Sequence, residues 1–227
     1  MSRLIVEPVG QSARVAQAVV ASSSPRQVSV DAFRGLTIAG MILVNNPGAK
    51  SSVYGPLQHA SWHGWTPTDL VFPFFLFIMG VSCYYSFAGR MRLGESRRQI
   101  YLRIVRRTLI LFALGLLISF AQSLELHGLR IPGVLQRIAV VYLCVSIIAL
   151  NLGLRSQITI AAVCLLSYWG FMTLIPVPGY GPSDFTAPGN LTFYLDRLLL
   201  AGHFRGNGGD ALGVLSTLPA IASALAG

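Results

Sequence analysis

Five long runs of apolar residues, separated by short polar or basic connections, occupy most of the chain from residue 28 onward. A helix needs roughly 20 mostly apolar residues to cross the hydrocarbon core of a bilayer, and only helices and closed barrels satisfy their own backbone there. The pattern therefore predicts an all-α fold, a polytopic transmembrane helical bundle. Its five full spans are expected over residues 30–46, 67–88, 107–123, 134–151 and 157–175.

A sixth apolar run begins at Gly213 and ends with the chain at Gly227. At 1.5 Å per residue it reaches only about 22 Å, which is short of the bilayer, so we expect a truncated sixth span. Residues 1–27 are polar and rich in Ser and Ala, without an apolar core of signal-peptide length. They are predicted to form a flexible cytoplasmic tail, with residues 28–227 as the membrane domain.

Composition supports a membrane protein, because 53% of the residues are hydrophobic and only 11% are charged, against about 25% charged in soluble domains. The net charge of +9 would suggest a nucleic-acid partner in a soluble protein. Here the basic residues lie mainly between the apolar runs, so we expect a lipid bilayer as partner and no nucleic acid. No P-loop and no Cys/His spacing typical of a metal site is present, and no metal is predicted.

The basic residues also predict the orientation of the bundle. Eleven arginines fall before the first span and in the second and fourth connections, whereas four Lys or Arg residues fall in the other connections. Positively charged segments stay cytoplasmic, so the N-terminus is predicted inside. The connections 47–66, 124–133 and 176–212 then face the opposite side of the membrane.

Three polar residues near the outer membrane surface are candidates for chemistry. His59 lies in an aromatic loop where water meets the bilayer, and an imidazole can act there as a base or nucleophile. Asn45 closes the first helix, either as a simple terminator or as an amide that polarises a substrate carbonyl. Asp69 follows Thr66, a predicted N-cap, and Pro67 at the first helical position. Its carboxylate therefore favours the helix start, and capping competes with any role in the reaction.

Charged residues at the cytoplasmic side form a second candidate group. Asp31 and Arg34 are three positions apart in the first span, so they are predicted to share a helix face as an ion pair. Arg103, Arg106 and Arg107 precede the third span. They either set topology and contact anionic lipid or receive a phosphate-bearing cofactor, since guanidinium groups match phosphate geometry.

Four segments of the chain carry a further signal, namely Val30–Asn45, Leu57–Gly80, Arg130–Ala139 and Tyr194–Leu200. Together they resemble one known family, the heparan-α-glucosaminide N-acetyltransferases and their bacterial members. The likeness runs from about residue 28 to the end of the chain, in the order of the family.

The resemblance implies a transmembrane acetyltransferase that takes acetyl from cytosolic acetyl-CoA and delivers it to the amine of a glucosamine-type sugar on the other side. It identifies His59 as the catalytic histidine, Asn45 as the active-site asparagine and Asp69 as the helix-start aspartate. His63 stands where the animal enzyme has asparagine. Family members have about ten or eleven spans, so the chain corresponds to the N-terminal half, and a bacterial inner membrane is the expected location.

On this reading, coenzyme A phosphates would rest near Arg103, Arg106 or Arg107 while the acyl end reaches toward His59. The imidazole would either take the acetyl group covalently or deprotonate the acceptor amine. Asn45 would stabilise the oxyanion and Asp69 would hold the imidazole tautomer. Two alternatives stay open: an amino-sugar transporter, and an inactive fragment of a longer enzyme. A homo-oligomer is also possible.

Overall fold

The computed structural model describes residues 28–46, 48, 53–124, 129–181, 184–186, 189–200, 203 and 212–227. Within these ranges the backbone forms seven α-helices and a short 3₁₀ turn at Gly55–Leu57. The predicted tail, residues 1–27, lies outside the described residues. The helices are α1 (Val28–Asn45), α2 (Pro67–Arg92), α3 (Arg97–Ser123), α4 (Val134–Asn151), α5 (Leu154–Leu174), α6 (Leu191–Leu199) and α7 (Thr217–Leu225).

Helices α1 to α5 confirm the predicted all-α bundle with five spans, since each is long and apolar enough to cross a membrane. The largest difference is at α3, which begins at Arg97, ten residues before the predicted start. The reason is a reciprocal cap, in which the Ser96 hydroxyl accepts from the Gln99 N–H while the Gln99 side chain accepts from the Ser96 N–H. Gly94, with φ of +74°, makes the tight turn from α2 possible.

Two short helices, α6 and α7, were not predicted as such from the sequence. The apolar run from Gly213 contains only the nine-residue α7, preceded by a turn. Helix α6 lies in a region predicted as an outer connection, and it begins where the Asn190 side chain accepts the N–H of Thr192 at 2.8 Å. An Asx cap of this kind supplies a partner for one of the otherwise unpaired amides of a helix start, which favours even a short helix.

The apolar core lies where α2, α3, α4 and α7 meet. Its buried members include Leu76, Met79, Cys83, Phe87, Ile100, Ile104, Ile138, Val141, Tyr142, Val145, Ala220 and Ala224. Helix α7 packs against α2, α4 and α5, while α1 packs on α2. Helices α2 and α7 approach each other closely at Gly80, where a Cβ atom would lie 1.9 Å from the carbonyl oxygen of Ala224. A residue without a side chain is therefore needed at this crossing.

Helices α1 to α4 alternate in direction, so this part of the bundle has two chemically different ends. The end of α3 and the segment before α4 meet where Ser119 donates to the carbonyl of Arg130, at 2.8 Å. At the opposite end, the start of α3 and the end of α4 meet where Asn151 donates to the Tyr101 hydroxyl, at 2.6 Å. The first of these is called the His59 end below, and the second the arginine end.

Replacing Gly80 with Ala should destabilise the bundle by about 1–3 kcal/mol, because the new methyl group overlaps the α7 backbone. Gly89, also in α2, is the matched control, since nothing lies within 4 Å of a Cβ built there. Gly89→Ala should be neutral or stabilising by about 0.5–1 kcal/mol through helix propensity. Thermal unfolding of the detergent-solubilised variants measures the difference, and equal midpoints would contradict the close α2–α7 contact.

Candidate active site

The side chains of His59 and Asp69 form a hydrogen-bonded pair at the start of α2. His59 Nδ1 lies 2.6 Å from Asp69 Oδ1. The second carboxylate oxygen accepts the backbone N–H groups of Thr66, at 2.9 Å, and Ala60, at 3.2 Å. Thr66 is the N-cap and Pro67 the first helical residue, as predicted. Asp69 thus fills both roles that the sequence left as alternatives, since it starts the helix and holds the histidine.

The loop that carries His59 is tied to its surroundings on both sides. The Thr66 hydroxyl donates to the carbonyl of Gln58, at 2.7 Å, and so fixes the residue before the histidine. Farther along the loop, the indole N–H of Trp62 donates to the carbonyl of Phe185, at 2.6 Å. The Trp62 ring also meets the Phe193 ring edge-on, at 5.3 Å between centroids. These contacts position the loop, while 65% of the His59 side chain stays exposed and accessible.

The pair defines which nitrogen of His59 is available for chemistry. An ionised carboxylate only accepts hydrogen bonds, so its partner Nδ1 carries a proton when the imidazole is neutral. The free lone pair is then on Nε2. A histidine oriented by a carboxylate in this way is suited to accept a proton or an acyl group through Nε2.

Asn45, the third predicted site residue, lies at the same end of the bundle. A Cβ at Gly40 of α1 would contact Val71 of α2, at 3.6 Å, which sets the register of the two helices. Five residues farther along α1, Asn45 is therefore close to the level of Thr66 at the start of α2. Among the described residues no hydrogen bond joins Asn45 to His59 or Asp69. Asn45 lines a separate cavity of about 320 Å³, the amide cavity, formed with α3 and α4.

Two adjoining cavities lie between α2, α3 and α4 toward the arginine end. The outer one, the arginine cavity, has a volume of about 310 Å³ and contains all three predicted arginines, Arg103, Arg106 and Arg107, together with Arg90. The deeper one, the inner cavity, has about 270 Å³. The two share part of their lining, Ser86, Phe87, Arg107 and Tyr142, so the structure brings the predicted arginines together at one entrance.

The arginines of this entrance differ in how they are neutralised. Glu95 forms ion pairs with Arg103, at 2.8 Å, and with Arg90, at 3.3 Å. In the part of the chain that the structure describes, no carboxylate lies within ion-pair distance of Arg106 or Arg107. The guanidinium of Arg107 instead lies over the Tyr142 ring, 4.8 Å from its centroid. Arg106 and Arg107 therefore carry the charge that remains available to an anionic ligand.

The position of Arg34 beside the inner cavity was not predicted from the sequence. Its predicted pairing with Asp31 is confirmed, at 3.4 Å. The same guanidinium also donates to the Ser82 hydroxyl of α2 and lines the inner cavity. The available signal was its place inside an apolar run, where a charged side chain is expensive and usually functional. Tyr142, in the apolar α4, gave no comparable signal.

The two arginine-end cavities extend along α2 toward the His59 end. Their lining on this helix runs from Arg90 to Phe75, fifteen residues, or about 22 Å at 1.5 Å per residue. Phe75 is six residues, or about 9 Å, from Asp69 on the same helix. The cavities thus cover most of the distance between the arginines and the histidine.

A family model described as heparan-alpha-glucosaminide N-acetyltransferase, catalytic, matches residues 26–186. The chain belongs to this family. The matched range includes His59, Asn45, Asp69 and the arginine cavity.

Two curated relatives of the heparan-alpha-glucosaminide N-acetyltransferase family are similar to the chain. The protein of that name from Homo sapiens is 34% identical in an alignment 214 residues long, and the match takes in 78% of this chain and 32% of the relative. The Mus musculus protein is 33% identical in an alignment of 217 residues, with 79% of this chain and 32% of the relative matched. The chain therefore spans about a third of the length of these relatives.

The hydrogen bonds at the start of α2 predict that replacement of Asp69 and replacement of His59 lower the stability of the protein by different amounts. Asp69→Ala should destabilise the protein by about 0.5–2 kcal/mol, because the amides at the helix start lose their carboxylate acceptor. His59→Ala should change stability little, because its side chain is largely exposed. Thermal unfolding in detergent tests the contrast. An equal loss in both variants would mean that the histidine, and not the cap, carries the stability of this region.

Proposed function

We propose that the chain is the part of a transmembrane N-acetyltransferase that carries acetyl from acetyl-CoA at the arginine end to a glucosamine-type amine at the His59 end. The observation that supports this most strongly is that one helix, α2, runs between the two sites. The His59–Asp69 pair is at its start, Arg90 near its end lines the arginine cavity with the arginines of α3, and two adjoining cavities lie between. Family membership supports the reaction class.

The arginine cavity suits the phosphate-bearing half of acetyl-CoA. Arg106 and Arg107 supply guanidinium groups, which bind phosphate oxygens through short, charge-assisted hydrogen bonds. Glu95 offsets part of the charge of Arg90 and Arg103, so the remaining positive charge of the entrance is carried mainly by Arg106 and Arg107. The inner cavity, lined by Phe75, Ile78 and Met79 among others, offers apolar walls for the uncharged arm of the molecule.

At the His59 end, the chain's residues supply acid–base and electrostatic assistance. The acceptor ammonium first loses one proton to water, which frees its lone pair. Nε2 of His59 takes the second N–H proton as the neutral amine forms the new C–N bond and the thioester C–S bond breaks, and the sulfur leaves as the thiolate of coenzyme A. Asp69 stabilises the imidazolium through Nδ1. Asn45 donates a hydrogen bond to the developing oxyanion. Acetylation of Nε2 before attack by the amine uses the same groups.

The arginine end is proposed to face the cytoplasm, since basic connections stay on that side. This orientation places the N-terminus inside and His59 outside, in the plasma membrane of a bacterial host. It agrees with the chemistry, because the donor is proposed to enter among the arginines and the acceptor at the other surface. The lipid bilayer is the partner that five apolar helices need, and a homo-oligomer remains compatible with it.

His59→Ala should lower acetyl transfer by at least about 100-fold, because general base catalysis typically contributes 10²–10⁴. The measurement uses inside-out vesicles that contain the 227-residue chain, labelled acetyl-CoA outside and glucosamine trapped inside. His63→Ala is the matched control from the same loop and should retain activity. Equal transfer by the His59 and His63 variants would contradict the assignment.

The same vesicles separate the two alternatives. A transporter would release trapped glucosamine without consuming acetyl-CoA, and loss of untransformed sugar would refute the acetyltransferase. A fragment would show neither transfer nor release. Any longer reading frame that contains the chain, assayed in the same way with and without His59, then decides whether the histidine is required.

Arg106→Gln and Arg107→Gln should each raise the KM for acetyl-CoA by roughly 10- to 100-fold, as expected for loss of a charge-assisted hydrogen bond of about 1.5–3 kcal/mol. Arg98→Gln, at the exposed first turn of α3, is the matched control and should leave the KM unchanged. Initial rates against acetyl-CoA concentration give the comparison. An equal KM in all three variants would place the donor elsewhere.

A further inference from the structure

The amide cavity at the His59 end is unlike the other cavities in its chemistry. Helices α1, α3 and α4 and the segment before α4 enclose about 320 Å³ there. Its described polar lining consists of Asn45, Ser119, Gln122, Arg130 and Gln136. These groups include three carboxamides, which both donate and accept hydrogen bonds, and no carboxylate.

Gln136 shows that this cavity is built around a polar group. The residue is only 4% exposed, and within the part of the chain that the structure describes its amide nitrogen has no hydrogen-bond partner. A buried amide without a partner is costly, so a partner from outside the chain would relieve the cost. Two glycines make room for the Gln136 side chain. A Cβ at Gly115 or at Gly133 would lie 2.5 or 2.3 Å from the Gln136 amide oxygen.

The position of the cavity connects it to the proposed reaction. Asn45 lines it, and the register of α1 against α2 puts Asn45 near the level of Thr66, whose N–H bonds the Asp69 carboxylate. A molecule held by the amides therefore lies at the same end of the bundle as His59. The Asp69 carboxylate, at the same end of the bundle, attracts the ammonium group of a sugar held there.

We propose that the amide cavity binds the hydroxyl groups of the acceptor sugar, with Gln122 and Gln136 as specificity-determining contacts. The amine of the sugar points past Asn45 toward His59. Pyranose hydroxyls donate and accept hydrogen bonds, as carboxamides do, so the two chemistries are complementary. This inference rests on the proposed acetyl transfer and adds the place where the acceptor is recognised.

Glucosamine binding to the full chain in lipid nanodiscs, measured without acetyl-CoA, tests the proposal. Gln122→Leu and Gln136→Leu should each weaken the binding of labelled glucosamine by about 5- to 10-fold, which corresponds to one net hydrogen bond or slightly more. Gln157→Leu is the matched control. That residue is partly exposed at the start of α5, where it donates to the carbonyl of Leu152, and its variant should bind glucosamine normally.

Thermal unfolding provides the second readout. If Gln136 had a purely structural role, Gln136→Leu would lower the unfolding midpoint. Gln136→Leu removes an unpartnered buried amide and keeps the side-chain volume similar, so it should keep or raise the unfolding midpoint while it weakens binding. Gln122, exposed at the cavity rim, should not affect folding. Loss of binding together with loss of the folded state in both variants would overturn the proposal.

The outcomes also separate this proposal from the proposed function. Normal glucosamine binding by both the Gln122 and Gln136 variants overturns the acceptor site, even if acetyl transfer through His59 is confirmed. Glucosamine binding that needs both amides supports the site, even if no acetyl transfer is found. In the active enzyme, the two variants should raise the KM for glucosamine and leave the KM for acetyl-CoA unchanged.

Discussion

The arrangement of the molecule depends on the carboxylate of Asp69. One of its oxygens accepts the N–H of Thr66, the N-cap of α2, and the N–H of Ala60, and the other holds His59. Because the same group starts the helix and orients the imidazole, the position of the reactive nitrogen is set by the helix and not by the loop. A loop histidine at a membrane surface would otherwise sample many orientations. Helix α2 thereby gives the exposed His59 a defined geometry.

Helix α2 also relates this site to the rest of the bundle. It packs on α1, α4 and α7, and its crossing with α7 is close enough to require Gly80. The cavities along its other face leave room for a long, narrow ligand between the arginines and the histidine. A rigid, well-packed helix suits such a function, because the distance between its two ends then stays constant while ligands enter from either side.

Much of the fold followed from the apolar pattern, because the length of a span and the cost of unpaired backbone in lipid leave few choices. The helix start at Thr66 and the pairing of Asp31 with Arg34 were predictable from local spacing. The early start of α3 after the Ser96 cap was not predictable from the apolar pattern, since the first residues of the helix are basic. Contacts between distant helices, such as Arg34 on Ser82, depend on packing that spacing alone does not determine.

Among the described residues, the amide nitrogen of Gln136 is buried without a hydrogen-bond partner, and Gln136 lines the amide cavity. Such an atom lowers stability in a bundle that is otherwise apolar. Sequences usually depart from consistent packing where function requires it. The cost of this amide therefore falls where the acceptor is proposed to bind, which argues that the amide cavity is a site and not a gap in packing.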